Sequence, residues 1–117
     1  MSYSYQNLEI RKKSIDMSIK FYEFTKKDKF AKDFGLCNQI QRSIVSVPSN
    51  IAEWSMKWTK NECIHWCRIA KGSLAESHTQ LIIAQKLWYI TIQEYIDIES
   101  EIIILMKQIN AFISSLK

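Results

Sequence analysis

Glu62-Cys-Ile-His65 places a carboxylate and an imidazole one helical turn apart, the arrangement of half a di-iron carboxylate site. A complete site needs two such pairs and a Glu from each of two further helices. The chain has a single Glu-x-x-His, and His78 follows Glu76 by two positions, on a different helical face. Exposed side chains near a helix start are the reading these residues support. Cys63 and Cys67, at i and i+4, could offer a metal two soft ligands. No second pair exists, only Cys37 and two histidines, and free cysteine packs as a small apolar residue. Both positions fall on an apolar stripe, so core packing is expected and no metal or cofactor.

Two further pairs could do chemistry together. Asn50/Glu53 and Ser73/Glu76 are each spaced i,i+3, which puts each pair on one face of its helix. A catalytic reading would make the glutamates a general acid and base, but no nucleophile or phosphate-cradling loop accompanies them. The alternative is a polar network that fixes the register of two helices, with Arg42 or Arg68 as counter-charge. Gly72 beside Ser73 marks the narrowest point of its segment, where another backbone could approach. Register and assembly are the expected roles, ahead of a ligand site and of turnover.

The elements that carry these residues follow from apolar spacing. Segment one runs from about residue 6 to 27, with Leu8, Ile15, Ile19 and Tyr22 as its stripe, widened by Met17, Phe21 and Phe24. A charged loop, KKDKFAKDFG, leads to segment two, about 36–57, with Ile40, Ile44, Val47 and Ile51 on one face. Thr59-Lys-Asn-Glu62 reads as a capping box opening segment three, about 60–88. Its inner stripe is Cys63, Trp66, Cys67, Ala70, Leu74, Leu81 and Ala84. A second box, Thr91-Ile-Gln-Glu94, opens segment four, about 92–116, where Tyr95, Ile98, Ile102, Leu105, Ile109, Phe112 and Leu116 alternate three and four. Ile96, Ile103, Ile104 and Ile113 lie off that seam. An apolar arc so wide exceeds one core and implies contact with another subunit.

Long amphipathic segments with short connections predict an all-α, antiparallel up-down-up-down four-helix bundle formed by one domain, residues 1–117. Two glycines and one proline in 117 residues exclude the turn-rich sheet folds. Pro48 falls inside segment two, where it removes one backbone donor and presses its ring on the Ile44 carbonyl, at a cost of about 3 kcal/mol. A kinked but continuous helix is expected, with Ser46, Ser49 and Asn50 bonding nearby backbone and with Asn50 and Glu53 turned toward segment three.

Net charge is +4. Residues 1–35 carry eight Lys/Arg against five Asp/Glu, and residues 91–117 two against four, so the basic excess lies early. A basic face can attract nucleic acid. No apolar run approaches the ~20 residues that span a bilayer, and MSYSYQNLEIRKK has no stretch of signal-peptide length. With an odd number of cysteines, a cytoplasmic protein without a membrane partner is expected.

Arg42-Ser-Ile-Val-Ser-Val-Pro-Ser-Asn-Ile-Ala-Glu53, then Glu62, Arg68-Ile-Ala-Lys-Gly-Ser-Leu-Ala-Glu76 and Thr79-Gln-Leu81, resemble the 23S rRNA intervening-sequence proteins, also called S23-type ribosomal proteins. The resemblance covers about residues 8–116. It implies a four-helix bundle that assembles as a homopentamer around a central channel. It also implies kinship with the accessory proteins of diversity-generating retroelements, which bind a reverse transcriptase and nucleic acid. The chain departs from the family pattern at Arg11, where an aromatic is common, and at Trp54 and Trp88, where glycine is common. Tryptophan at those two places argues against the left-handed helix ending that glycine favours.

The expectation is thus a non-enzymatic homo-oligomer, a pentamer by resemblance, with no small-molecule substrate. Pro48, Ser49, Asn50, Glu53, Gly72, Ser73 and Glu76 form its structural motif. RNA or DNA would be met by Arg11, Lys12, Lys13, Arg42, Lys57, Lys60, Arg68 and Lys71. Trp54 and Trp58, at i and i+4 beside Met56, could serve a protein interface, pack in the core or stack on bases, and interface is preferred. The alternative function is a protein-interaction scaffold without nucleic acid, anchored by Trp54, Trp58 and Trp88.

Overall fold

The structure, a computed structural model, describes residues 5–117, so the first four residues of the expected domain lie outside the described residues. Helices occupy Tyr5–Thr25 (α1), Asp28–Lys32 (α2), Phe34–Ser55 (α3), Lys60–Lys86 (α4) and Ile92–Leu116 (α5), with no strand among the described residues. The charged segment expected as a loop contains α2. Asp28 in its first turn and Lys29 and Lys32 in its last complement the helix dipole. Its buried Phe30 stacks on Tyr89, 5.3 Å between ring centroids, which fixes this short helix against the core. Asp33 then accepts from the Leu36 N–H and caps α3, so Gly35 begins that helix instead of ending a loop.

Both capping signals find their helices. Thr91 and Glu94 exchange both bonds at the start of α5. Thr59 accepts from the Glu62 N–H at 3.1 Å, and only that half of the α4 box is present.

α1 packs on α3 and α5, and α4 packs on the same two helices, α3 on α4 most extensively. Lys20 meets Glu101 at 2.9 Å and Lys27 meets Glu94, so α1 and α5 run in opposite senses. The molecule measures 44 × 23 × 18 Å. Its core takes the expected faces of α3, α4 and α5, extended by Trp54 and Ile113. Trp66, Tyr95 and Leu116 are half-buried at the margin.

α1 is rotated from expectation. Its buried face is Asn7, Ile10, Ser14, Met17, Ser18, Phe21 and Thr25, while Leu8, Ile15, Ile19 and Tyr22 are exposed. Small hydroxyls tolerate burial here because each bonds backbone within its own helix: Ser14 to the Arg11 carbonyl, Ser18 to Ser14, Thr25 to Tyr22.

α3 runs unbroken through Pro48. The carbonyl that proline deprives of its donor, Ile44, accepts from Ser18 Oγ of α1 at 3.3 Å, a hydroxyl shared with the Ser14 carbonyl. The local polar residues do not reach it. Ser46 bonds the Ser43 carbonyl, Ser49 the Val45 carbonyl, and Asn50 Nδ2 the Ser46 carbonyl. The compensation for the proline therefore comes from the neighbouring helix.

α4 closes with a Schellman turn, in which Tyr89 N–H bonds the Ala84 carbonyl and Trp88 N–H the Gln85 carbonyl. Trp88 has φ 63°, the left-handed conformation. The expectation that a tryptophan would prevent this geometry is corrected, at a cost of roughly 1–2 kcal/mol for a residue with a Cβ.

Candidate functional site

The expected polar network is displaced by one turn along α4 and by two or more along α3. Glu53 and Glu76 are exposed, and Glu53 pairs with Lys57 at 3.4 Å in the turn that follows α3. Asn50 is half-buried and bonded to its own helix, not turned to α4. The bonds that join α3 to α4 are Ser43 Oγ to Gln80 Oε1 at 2.6 Å and Ser77 Oγ to Ser43 Oγ at 2.8 Å, all three residues buried. Ser73 contributes its carbonyl, which accepts from Ser77. Around this network Gln39, Arg42, Ser46 and Glu76 line a groove of about 300 Å³. Gly72 is no point of close approach: a Cβ there would meet nothing within 4 Å. Its side of α4 is open.

Cys63 and Cys67 are wholly buried in the core, and burial pushes both thiols up. Glu62 and His65 are exposed, the latter edge-on to Trp66. Among the described residues no group of three His, Cys, Asp or Glu could hold a metal ion.

One titratable cluster is not foreseen in the sequence. His78 of α4 lies 3.1 Å from Glu99 Oε2 and 3.2 Å from the Tyr95 hydroxyl of α5, and Tyr95 donates to the same carboxylate oxygen. Burial, followed by the Glu99 bond, pushes the Tyr95 phenol up to about 12. The bonds from Tyr95 and His78 hold Glu99 below the usual carboxylate range. Tyr95 and Glu99 stand at i,i+4, the signal that could have found them; the α4 partner needed the fold.

The basic residues do not form one patch. Arg11, Lys12, Arg42, Lys60 and Arg68 are exposed, Lys13 and Lys71 half-buried, and none of the seven makes an ion pair among the described residues. Lys12 and Lys13 line a groove with Glu9, Asp16 and Glu23. Lys57 is engaged by Glu53 and lies 5.2 Å from the Trp66 ring centroid.

The three tryptophans separate. Trp54 is a core residue, 0% exposed, not an interface anchor. Its Nε1–H donates to Asn7 Oδ1 at 2.7 Å, and its ring stacks on Phe112 at 5.2 Å. Trp58 is 87% exposed in the α3–α4 turn and Trp88 74% exposed in the α4–α5 turn.

Two apolar stripes stay in solvent. On α1, Leu8, Ile15, Ile19 and Tyr22 run beside α3, and Ile15, Ile19 and Tyr22 form a groove of about 490 Å³ with Val45 and Pro48. On α5, Ile92, Ile96 and Ile103 follow one another at helical spacing with Glu99, which bonds α4. Because α1–α3–α4–α5 close a cycle of neighbours, the α1/α3 side and the α4/α5 side are opposite flanks.

The sequence model of the 23S rRNA-intervening sequence protein family matches residues 6–111. The chain belongs to that family. A crystal structure of a protein of unknown function from the S23 ribosomal protein family, from Bacteroides thetaiotaomicron VPI-5482, is similar to it in fold. The TM-score is 0.85 at 23% identity, over 93% of this chain and 98% of that one. No curated protein matches the chain. Membership of the 23S rRNA-intervening sequence family agrees with an all-helical protein. No helix of the described residues is long and apolar enough to cross a membrane.

Proposed function

We propose that this protein is a non-enzymatic assembly module: an antiparallel up-down-up-down four-helix bundle, bent at Pro48, whose copies join head to tail. The observation that carries the proposal is the pair of exposed apolar stripes on opposite flanks, α1/α3 and α5. Different patches on opposite sides suit a heterologous contact, which closes into a ring or extends into a fibre. A ring of five, the assembly that the family resemblance implies, is the closed form we propose. Around it, Arg11, Lys12, Lys60 and Arg68, exposed and without an ion pair among the described residues, supply positive charge for the phosphates of RNA. Trp58 beside exposed Met56 favours a second reading, a protein-binding scaffold without nucleic acid.

Light scattering on the purified protein tests the assembly half, with a mass several times 13.8 kDa expected. A monomer in dilute solution refutes it. Titration with labelled RNA at rising salt tests the other half. Replacing Lys60 and Arg68 by glutamine flattens the salt slope by roughly 0.7 for each phosphate of a single strand that is no longer neutralised. Absence of binding at low salt removes RNA and leaves the scaffold.

A further inference from the structure

Two aromatic residues at one end of the molecule are displayed to solvent, one of them at a backbone cost. Trp88 keeps a left-handed φ of 63° at the position of a Schellman turn that glycine fills without strain. It gains no burial there, being 74% exposed. Strain held without a packing return points to use of the side chain. Its neighbour Tyr89 donates to Asp33 Oδ2 at 2.9 Å, and Asp33 precedes Phe34, 75% exposed at the start of α3. The Tyr89–Asp33 bond thus brings two exposed aromatic residues to the same end on a rigid base. That base includes the stack of Tyr89 on Phe30.

The charge at this end favours an anion. Lys26, Lys29, Lys32 and Lys86 are exposed there against two exposed carboxylates, Glu23 and Asp28, the latter paired with Lys32 at 3.9 Å; Asp33 and Glu94 are engaged by Tyr89 and Lys27. Flat aromatic faces beside lysines suit a ligand that alternates bases with phosphates. We infer that Trp88 and Phe34 form a stacking platform for single-stranded nucleic acid at the α2/α4–α5 end, with the surrounding lysines meeting its phosphates. This rests on the nucleic-acid half of the proposed function and adds to it a single-strand contact at the end of α4 opposite Lys60.

The test is fluorescence anisotropy with a labelled twelve-nucleotide uridine oligomer and an RNA duplex of equal length, on the full chain at low salt. Trp88→Gly relieves the backbone strain and raises Tm by about 3–6 °C. It is expected to weaken oligomer binding about tenfold, the size of one base–aromatic stack, and to leave duplex binding within about twofold. Phe34→Ser is expected to act the same way on binding, and Trp58→Ala, at the opposite end, to leave it unchanged. Equal oligomer binding by wild type, Trp88→Gly and Phe34→Ser overturns the platform while leaving RNA binding in place. No binding by wild type overturns both. A change of particle mass in Trp88→Gly makes the residue a contact between copies and also overturns the platform.

Discussion

Trp54→Ala lowers the stability of the protein by about 3–5 kcal/mol, the range for emptying a large aromatic from a packed core. For a chain of 117 residues this is a fall in Tm of about 10–25 °C. Two losses add to the cavity. The stack on Phe112 joins the ends of α3 and α5, and the indole N–H bond ties α3 to Asn7 of α1. Trp54→Phe retains the ring contact but leaves Asn7 Oδ1 without its indole donor, for a smaller loss of about 1–3 kcal/mol. Chemical denaturation followed by circular dichroism checks both. An unchanged midpoint for Trp54→Ala would return the residue to the surface role that its neighbourhood of Met56, Lys57 and Trp58 suggests.

Pro48→Ala stabilises the protein by about 1–2 kcal/mol. The gain comes from restoring the helical donor to the Ile44 carbonyl, less the entropy that proline removes from the unfolded chain. Ser18→Ala in the wild-type background costs about 1–2 kcal/mol, because a buried carbonyl loses the hydroxyl that now serves it. The two are coupled. In Pro48→Ala the Ile44 carbonyl has its helical donor, so Ser18→Ala costs less there, by about 1 kcal/mol in a double-mutant cycle. Additive effects would mean that Ser18 bonds only its own helix, through Ser14, and that α1 contributes nothing to the tolerance of the proline.

Three of the four long helices are legible because their apolar residues fall on single stripes. Ile40, Ile44, Val47 and Ile51 are all buried, and the same spacing continues to Trp54, a signal that its amphipathic type obscures. α1 is not legible. It carries large apolar residues on two sides, and the side that is buried includes Asn7, Ser14, Ser18 and Thr25. Periodicity weighs type, whereas hydroxyls bonded to their own helix enter a core at little cost. The polar contact of α3 with α4 is expected at Asn50, Glu53, Ser73 and Glu76, with Arg42 or Arg68 as counter-charge; it occurs at Ser43, Ser77 and Gln80. Those positions lie on nearly the same faces, two turns along α3 and one turn along α4, so periodicity gives the facing side but not the depth along the helix pair at which the polar groups meet. The His78–Tyr95–Glu99 cluster and the short α2 depend on tertiary neighbours and leave no mark beyond an i,i+4 pair.

The rotation of α1 also changes where self-association is expected. The sequence places the excess apolar arc on α5 alone, and Ile113, counted in it, is buried. With Ile15 and Ile19 in solvent beside Val45 and Pro48, the molecule has a second apolar flank opposite the first. A head-to-tail contact between the two makes a distinctive demand on variants. Ile19→Glu spoils the α1/α3 groove and leaves the α5 stripe; Ile103→Glu does the reverse. Each alone is expected to be monomeric. Mixed in equal amounts, each supplies the flank that the other lacks, so one good contact forms and no ring closes. Native mass spectrometry of the mixture is therefore expected to show a one-to-one heterodimer. A mixture that remains monomeric, or either variant holding the wild-type mass alone, would contradict assembly through opposite flanks.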